Sequence, residues 1–169
     1  TGGSHSTSHY NTALGYRAGY NFGQGGSADH NVYVGHMAGE YNGPGDYNTY
    51  LGSQAGRFST IGNNQTFVGS NAGLYSTGSY NTFVGKDAGK GGTTSAPYSS
   101  GESNVAVGRN ALAAFTSGQQ NVAIGTSAGT AITTGFTNTF IGHWAGDGVT
   151  TGTTNICIGY NTETSANNS

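Results

Sequence analysis

The sequence predicts an all-β fold, a parallel β-solenoid of about nine coils of 17 residues. Three observations predict it. A ten-residue pattern recurs along the chain: NTALGYRAGY from Asn11, NVYVGHMAGE from Asn31, NTYLGSQAGR from Asn48, NTFVGKDAGK from Asn81 and NTFIGHWAGD from Asn138. The spacing is nearly constant. Counting each copy from its first residue as position 0, copies begin at Asn11, Asn31, Asn48, Gln65, Asn81, Asn104, Asn121, Asn138 and Asn155, and five of the eight intervals are 17. The composition is also that of a turn-rich β protein. Glycine is 32 of 169 residues, charged residues are 7% and aromatic residues 11%, where ordinary domains carry about 7% glycine and about 25% charge.

Each part of the repeat has a physical reading. The consensus is G-x-x-N-[TV]-x-[VLI]-G-x-x-A-G, followed by a Ser/Thr-rich link. A helix cannot carry it, because each interior glycine costs about 1 kcal/mol relative to alanine. The segment N-T-x-V-G is instead a short strand of β-branched and aromatic residues bounded by glycine. Position 4 is glycine in all nine copies, from Gly15 to Gly159, and G-x-x-A-G turns the chain. A second apolar site follows at position 10 or 11, at Phe58, Tyr75, Phe115, Ile132 and Val149. The two long insertions, within 20–30 and 90–103, fall in the same part of the unit, as a stacked array allows. Residues 1–169 form a single repeat domain about 43 Å long, expected to be a fragment or processed piece of a longer fibre.

Stacking puts equivalent positions in rows. Position 3 is aliphatic throughout (Leu14, Val34, Leu51, Val68, Val84, Val107, Ile124, Ile141, Ile158), so it is expected to face the core together with position 1. The Asn at position 0 is expected to form a ladder between rungs. Position 2 then points the other way. It carries five aromatics, Tyr33, Tyr50, Phe67, Phe83 and Phe140, and no charge. An exposed stripe of that kind exceeds what a monomer leaves open, so it is expected to be the self-association surface; burial within one chain is the alternative. Positions 5 and 6 vary in size and sign, which marks a solvent-facing corner. Tyr16, Arg17, His143 and Trp144 are the residues there with which a rim could bind sugar.

Little points to chemistry. The seven acids are scattered, and Asp87 and Asp147 lie several rungs apart. Neither a nucleophile elbow nor a Walker loop occurs. His5 and His9 share one strand face, where a metal shared across a symmetry axis is a minor alternative; no metal site, cofactor or enzymatic activity is predicted. The net charge of -2 gives no electrostatic reason for nucleic-acid binding, and no apolar run approaches the ~20 residues of a membrane span. The single cysteine, Cys157, allows no intrachain disulfide. Asn64 and Asn167 begin N-glycosylation sequons.

The units NTALGYRAG, NTFVGKDAG and NVAIGTSAG resemble the repeats of bacterial and phage tail-fibre-type surface proteins. They are similar, more loosely, to the head repeats of trimeric autotransporter adhesins, whose units are nearer 14 residues. The resemblance covers nearly the whole chain, from Asn11 to Asn161. It implies parallel β-rolls, often trimeric, on extracellular or virion-surface fibres that contact surfaces or glycans. The expectation is therefore a structural fibre, filament or adhesin subunit that self-associates. The alternatives are a glycan-binding, lectin-like fibre tip and an ice-binding solenoid, the latter suggested by the interrupted threonine row at position 1.

Overall fold

The structure is a computed structural model that describes residues 8–21, 23, 25–96 and 98–164. It is all-β. Nine three-residue strands run β1 (Thr12–Leu14), β2 (Val32–Val34), β3 (Thr49–Leu51), β4 (Thr66–Val68), β5 (Thr82–Val84), β6 (Val105–Val107), β7 (Val122–Ile124), β8 (Thr139–Ile141) and β9 (Ile156–Ile158). They form one parallel sheet in sequence order, β1 to β9, with positions 1, 2 and 3 of each rung in register with those of the next. The chain is a β-solenoid.

The rest of each coil is bonded to its neighbours as well. The position-8 N–H donates to the position-7 carbonyl of the next rung, as in Gly39 to Ala55 and Gly56 to Ala72 (both 2.9 Å). On the far side the position-12 N–H of Thr116 reaches Thr133 O, and that of Thr133 reaches Thr150 O, each at 2.8 Å. Backbone polar groups outside the short strands thus find partners along the rod, which explains how so irregular a coil can stack. The longer insertion rejoins the stack at Ser99, which bridges in parallel to Ser76.

The corners depend on left-handed backbone. Position 4 has φ near +135° in most rungs, and a Cβ on Gly15 would sit 2.5 Å from Gly35 O. Only glycine lets rungs approach so closely at this point.

The interior contradicts the face assignment expected from the sequence. Tyr33, Tyr50, Phe67, Phe83 and Phe140 are all 0% exposed. They point into the solenoid, not outward, so they are not an oligomer stripe within this chain's surface. Their rings stack in a column, Tyr50 on Phe67 and Phe67 on Phe83, each at 5.0 Å between centroids. The buried alanines at position 7 and the position-11 side chains close the same core, including Phe115, Ile132 and Val149. The physical reason is that strand alternation fixes which positions share a face but not which face is inside. The lumen of a 17-residue coil accepts one inward strand side chain per rung, and position 2 supplies it.

The Asn row lies on that same inward face and forms the expected ladder: side-chain amides bond one another from Asn81 to Asn155, at 2.9–3.2 Å, and backbone N–H groups add a second set of bonds. The Asn48 backbone N–H donates to Asn31 Oδ1 (2.8 Å), while Asn31 Nδ2 donates to Gly45 O (2.9 Å) in the following rung. The pattern repeats from Asn104 through Asn155. Gln65 is the exception. Its longer side chain bonds the Tyr50 hydroxyl and Ser59 Oγ inside the core, and the Asn81 N–H makes no ladder bond to it. Tyr33 is matched in the same way, by Asn42 Nδ2. Burial raises the ionisation of both phenols well above the ordinary tyrosine range, with the neighbouring Tyr50 phenol adding to the effect at Tyr33.

Candidate functional site

With position 2 inside, positions 1 and 3 face solvent. Leu14, Leu51, Ile124, Ile141 and Ile158 are exposed, and the exposure persists in mid-rod, at 46% for Leu51 and 41% for Ile124. Position 1 adds Thr12, Thr49, Thr66, Thr82 and Thr139, with Val or Ile in the other rungs. No member of either row carries a charge. The sheet therefore presents a continuous two-row face of aliphatic and threonine side chains. It arises from the backbone: rungs in exact parallel register align identical side-chain types along the rod.

Two further rows border this face. Position −1 is left-handed in every rung, from Tyr10 (φ 59°) to Thr154 (φ 58°). There Tyr10, His30 and Tyr47 stack almost parallel, at 4.8 and 5.0 Å between centroids. Asn64 lies in this row, exposed, with Tyr80 after it. On the other side position 5 places Tyr16 against His36 at 5.5 Å. Across nine rungs, ~4.8 Å apart, and from position −1 to 5, the strip measures about 38 by 20 Å.

The predicted sugar rim is divided by the structure. Tyr16 and Arg17 lie in the first rung, His143 and Trp144 in the eighth, so they do not form one site. Arg17 is engaged elsewhere: its Nε is 2.7 Å from the fully buried Glu40, and its guanidinium lies 4.6 Å from the Tyr20 ring centroid. Arg57 Nε approaches the same carboxylate from the other side at 2.6 Å. Sequence spacing aligns Glu40 and Arg57, both at position 9 of adjacent rungs. Arg17 reaches them from position 6, which no row argument finds. His143 and Trp144 instead gather Tyr160 of the ninth rung, with ring centroids 4.2 Å apart for His143–Trp144 and 5.9 Å for Trp144–Tyr160.

Other polar groups serve the fold. The His9 backbone N–H donates to Asp29 Oδ1 and holds that carboxyl below its usual range. Partial burial, then a hydrogen bond that the protonated Glu163 carboxyl makes to Asp147, raises the Glu163 carboxyl. Burial also raises the Cys157 thiol, with Glu163 adding to the effect. Among the described residues no group of three or more His, Cys, Asp or Glu could hold a metal ion, and no helix is long and apolar enough to cross a membrane. His5 and Asn167 lie outside the described residues.

The fold and its outer face define a β-solenoid repeat protein with an uncharged, exposed sheet face. No family model, curated protein or solved structure matches the chain.

Proposed function

We propose that the protein is a structural subunit of an extracellular or surface fibre, and that copies of it associate through the outer sheet face of positions 1 and 3. The observation that carries this is the unbroken, charge-free aliphatic row from Leu14 to Ile158, which points outward along the rod, exposed at its leucines and isoleucines and half-buried at its valines. With the bordering rows the strip covers on the order of 750 Å², close to the ~800 Å² per partner of a stable interface. Its apolar centre, positions 1 and 3, is the part that association removes from water to advantage, and the mixed rows at positions −1 and 5, which include Lys86 and Arg109, form a polar rim around it. The occupant is a second copy of the same chain, because parallel rungs of equal spacing give both faces the same ~4.8 Å repeat. A trimer is the arrangement that the resemblance implies. The role is mechanical and adhesive, with no turnover. Asn64 borders the face, and a glycan there would hold two copies apart, so the reading requires Asn64 to be unmodified.

Light scattering after size exclusion tests this. The 17.1 kDa chain is expected at about 51 kDa as a closed three-fold assembly. The double substitution Leu51→Glu and Ile124→Glu is expected to return it to a monomer with unchanged far-ultraviolet circular dichroism. A wild-type chain that stays monomeric at tens of micromolar refutes the reading.

A second reading has one observation in its favour. The threonine row and the aliphatic row lie outward on one flat sheet, the kind of regular surface that can order water. Ice binding would then require the face to be free. Thermal hysteresis in the wild-type protein, lost in the glutamate variant, would support it.

A further inference from the structure

Position 6 is left-handed in all nine rungs, with φ between 51° and 60°. Asparagine suits such a site because its short polar side chain tolerates this backbone, whereas a bulky ring opposes it. Asn71, Asn110 and Asn161 occupy it in three rungs; the eighth rung places Trp144 there, at φ 60°. Nothing in the core calls for this ring, which is 40% exposed. It sits beside two other aromatics that the core does not use. The His143 and Tyr160 rings are 5.7 Å apart and nearly perpendicular, and Tyr160 is 69% exposed. A large rigid ring held against its local preference, at the surface of a fixed scaffold, fits recognition better than folding.

The chemistry around the rings narrows the ligand. In rungs seven to nine the corner residues are Thr126, Ser127, His143, Trp144, Tyr160 and Asn161, with no carboxylate, lysine or arginine. The same corner carries Lys86, Asp87 and Arg109 in rungs five and six. The nearest charges on the C-terminal side are the carboxyls of Asp147 and Glu163, which disfavour an anion. Exposed aromatic faces flanked by hydroxyl and amide groups match the apolar C–H face and the hydroxyl rim of a sugar ring.

We propose that His143, Trp144 and Tyr160 form a platform that binds a neutral pyranose of a glycan, its ring stacked on the Trp144 indole. The cluster from the first two rungs does not share this role, because Arg17 there is already committed to Glu40 and Tyr20. His143 and Tyr160 belong to the position-5 row that borders the proposed interface, so the glycan titration is run on the wild-type chain and on the Leu51→Glu/Ile124→Glu variant; binding by that variant supports the platform whatever the assembly state of the wild type.

Trp144 is the only tryptophan, so intrinsic fluorescence reports on the platform directly. The full chain is titrated with maltohexaose, cellohexaose and chitohexaose, with 3′-sialyllactose as the anionic probe, and screened on an array of neutral glycans. A saturable change in Trp144 emission is expected with at least one neutral sugar and none with sialyllactose. Trp144→Asn installs the residue that other rungs use at this site. It is therefore expected to leave the fold and its thermal midpoint intact while weakening array binding at least tenfold. Failure of every neutral glycan to bind, binding confined to the anionic probe, or equal binding by Trp144→Asn would each overturn the proposal.

Discussion

The interior of rung six offers a direct test of how this solenoid is packed. Where position 2 is aromatic, position 8 is glycine: a Cβ on Gly39 would lie 2.6 Å from the Tyr33 ring, and one on Gly56 would lie 2.5 Å from that of Tyr50. Rung six reverses the pattern. Position 2 is Ala106, position 8 is Leu112 in a left-handed conformation (φ 49°), and position 11 is Phe115, all fully buried. Between positions 2 and 8 the volume is nearly conserved while the residues that fill it change, and Phe115 adds bulk at position 11. Rung four holds Phe67, Gly73 and Ser76 at the same three positions. The perturbation is to convert rung six to that set, singly and together. Ala106→Phe alone overpacks the coil, at about 1–3 kcal/mol. Leu112→Gly opens a leucine-sized hole worth about 2–5 kcal/mol, offset by about 1–2 kcal/mol because a left-handed side chain is removed. Phe115→Ser costs about 3–5 kcal/mol. Independent effects would sum to roughly 4–12 kcal/mol, whereas the triple variant is expected to lose only about the 3–5 kcal/mol of the Phe115 side chain, because Ala106→Phe and Leu112→Gly compensate in contact. Urea unfolding followed by circular dichroism measures all four proteins. A triple variant whose loss equals the sum of the single losses would refute the packing scheme.

Two further outcomes follow from the buried polar groups. Gln65→Asn should restore a ladder bond to the Asn81 N–H but leave the Tyr50 hydroxyl and Ser59 without their shared acceptor. A net loss of about 1–3 kcal/mol is expected, with recovery of at least half when Tyr50→Phe is added; equal urea midpoints for the single and double variants would count against it. Tyr33 and Tyr50 ionise above the ordinary range in the folded chain and near about pH 10 when unfolded. The unfolded chain therefore releases the two protons first, so stability is full below about pH 10 and falls above it, by about 2.7 kcal/mol per pH unit for two groups. Phenolate absorbance should show these two tyrosines titrating only with the loss of circular dichroism, and their titration in the intact fold would refute the assignment.

Much of the fold was legible because repetition reports register. Nine glycines at position 4, eight alanines at position 7 and five intervals of 17 left a stacked coil as the consistent reading. The choice of inner face was not recovered from position 3, whose unbroken aliphatic row looks like a core. Two signals in the sequence pointed the other way. The Asn row shares the parity of position 2, and an Asn ladder needs shelter from water. Leu112 also replaces glycine in a rung where position 2 is alanine, a volume exchange that only an interior requires. Of the two strand rows, the one that varies in size with compensation at position 8 lies in the core, and the aliphatic one lies on the surface. The Arg17–Glu40–Arg57 group was hidden for a different reason, since long side chains join positions that no row relates.

That inversion sharpens the functional question. The stack accounts for position 0 by its ladder, for position 2 by the lumen, for position 4 by the close approach of rungs, and for positions 7, 8 and 11 by packing. None of these constraints reaches position 3. An outward strand position is served as well by threonine, which has high β propensity, and position 1 uses threonine in five rungs. A free sheet is better protected by lysine or glutamate. Position 3 has neither in any of nine rungs, and remains Leu, Val or Ile from the first described strand, at Leu14, to the last, at Ile158. Burial of each such side chain is worth about 1.5–3 kcal/mol, and the isolated coil leaves much of it unused. A constraint that holds along the whole row, and that the coil's own packing does not impose, is best supplied by a surface outside the coil with the same repeat, which a second copy provides.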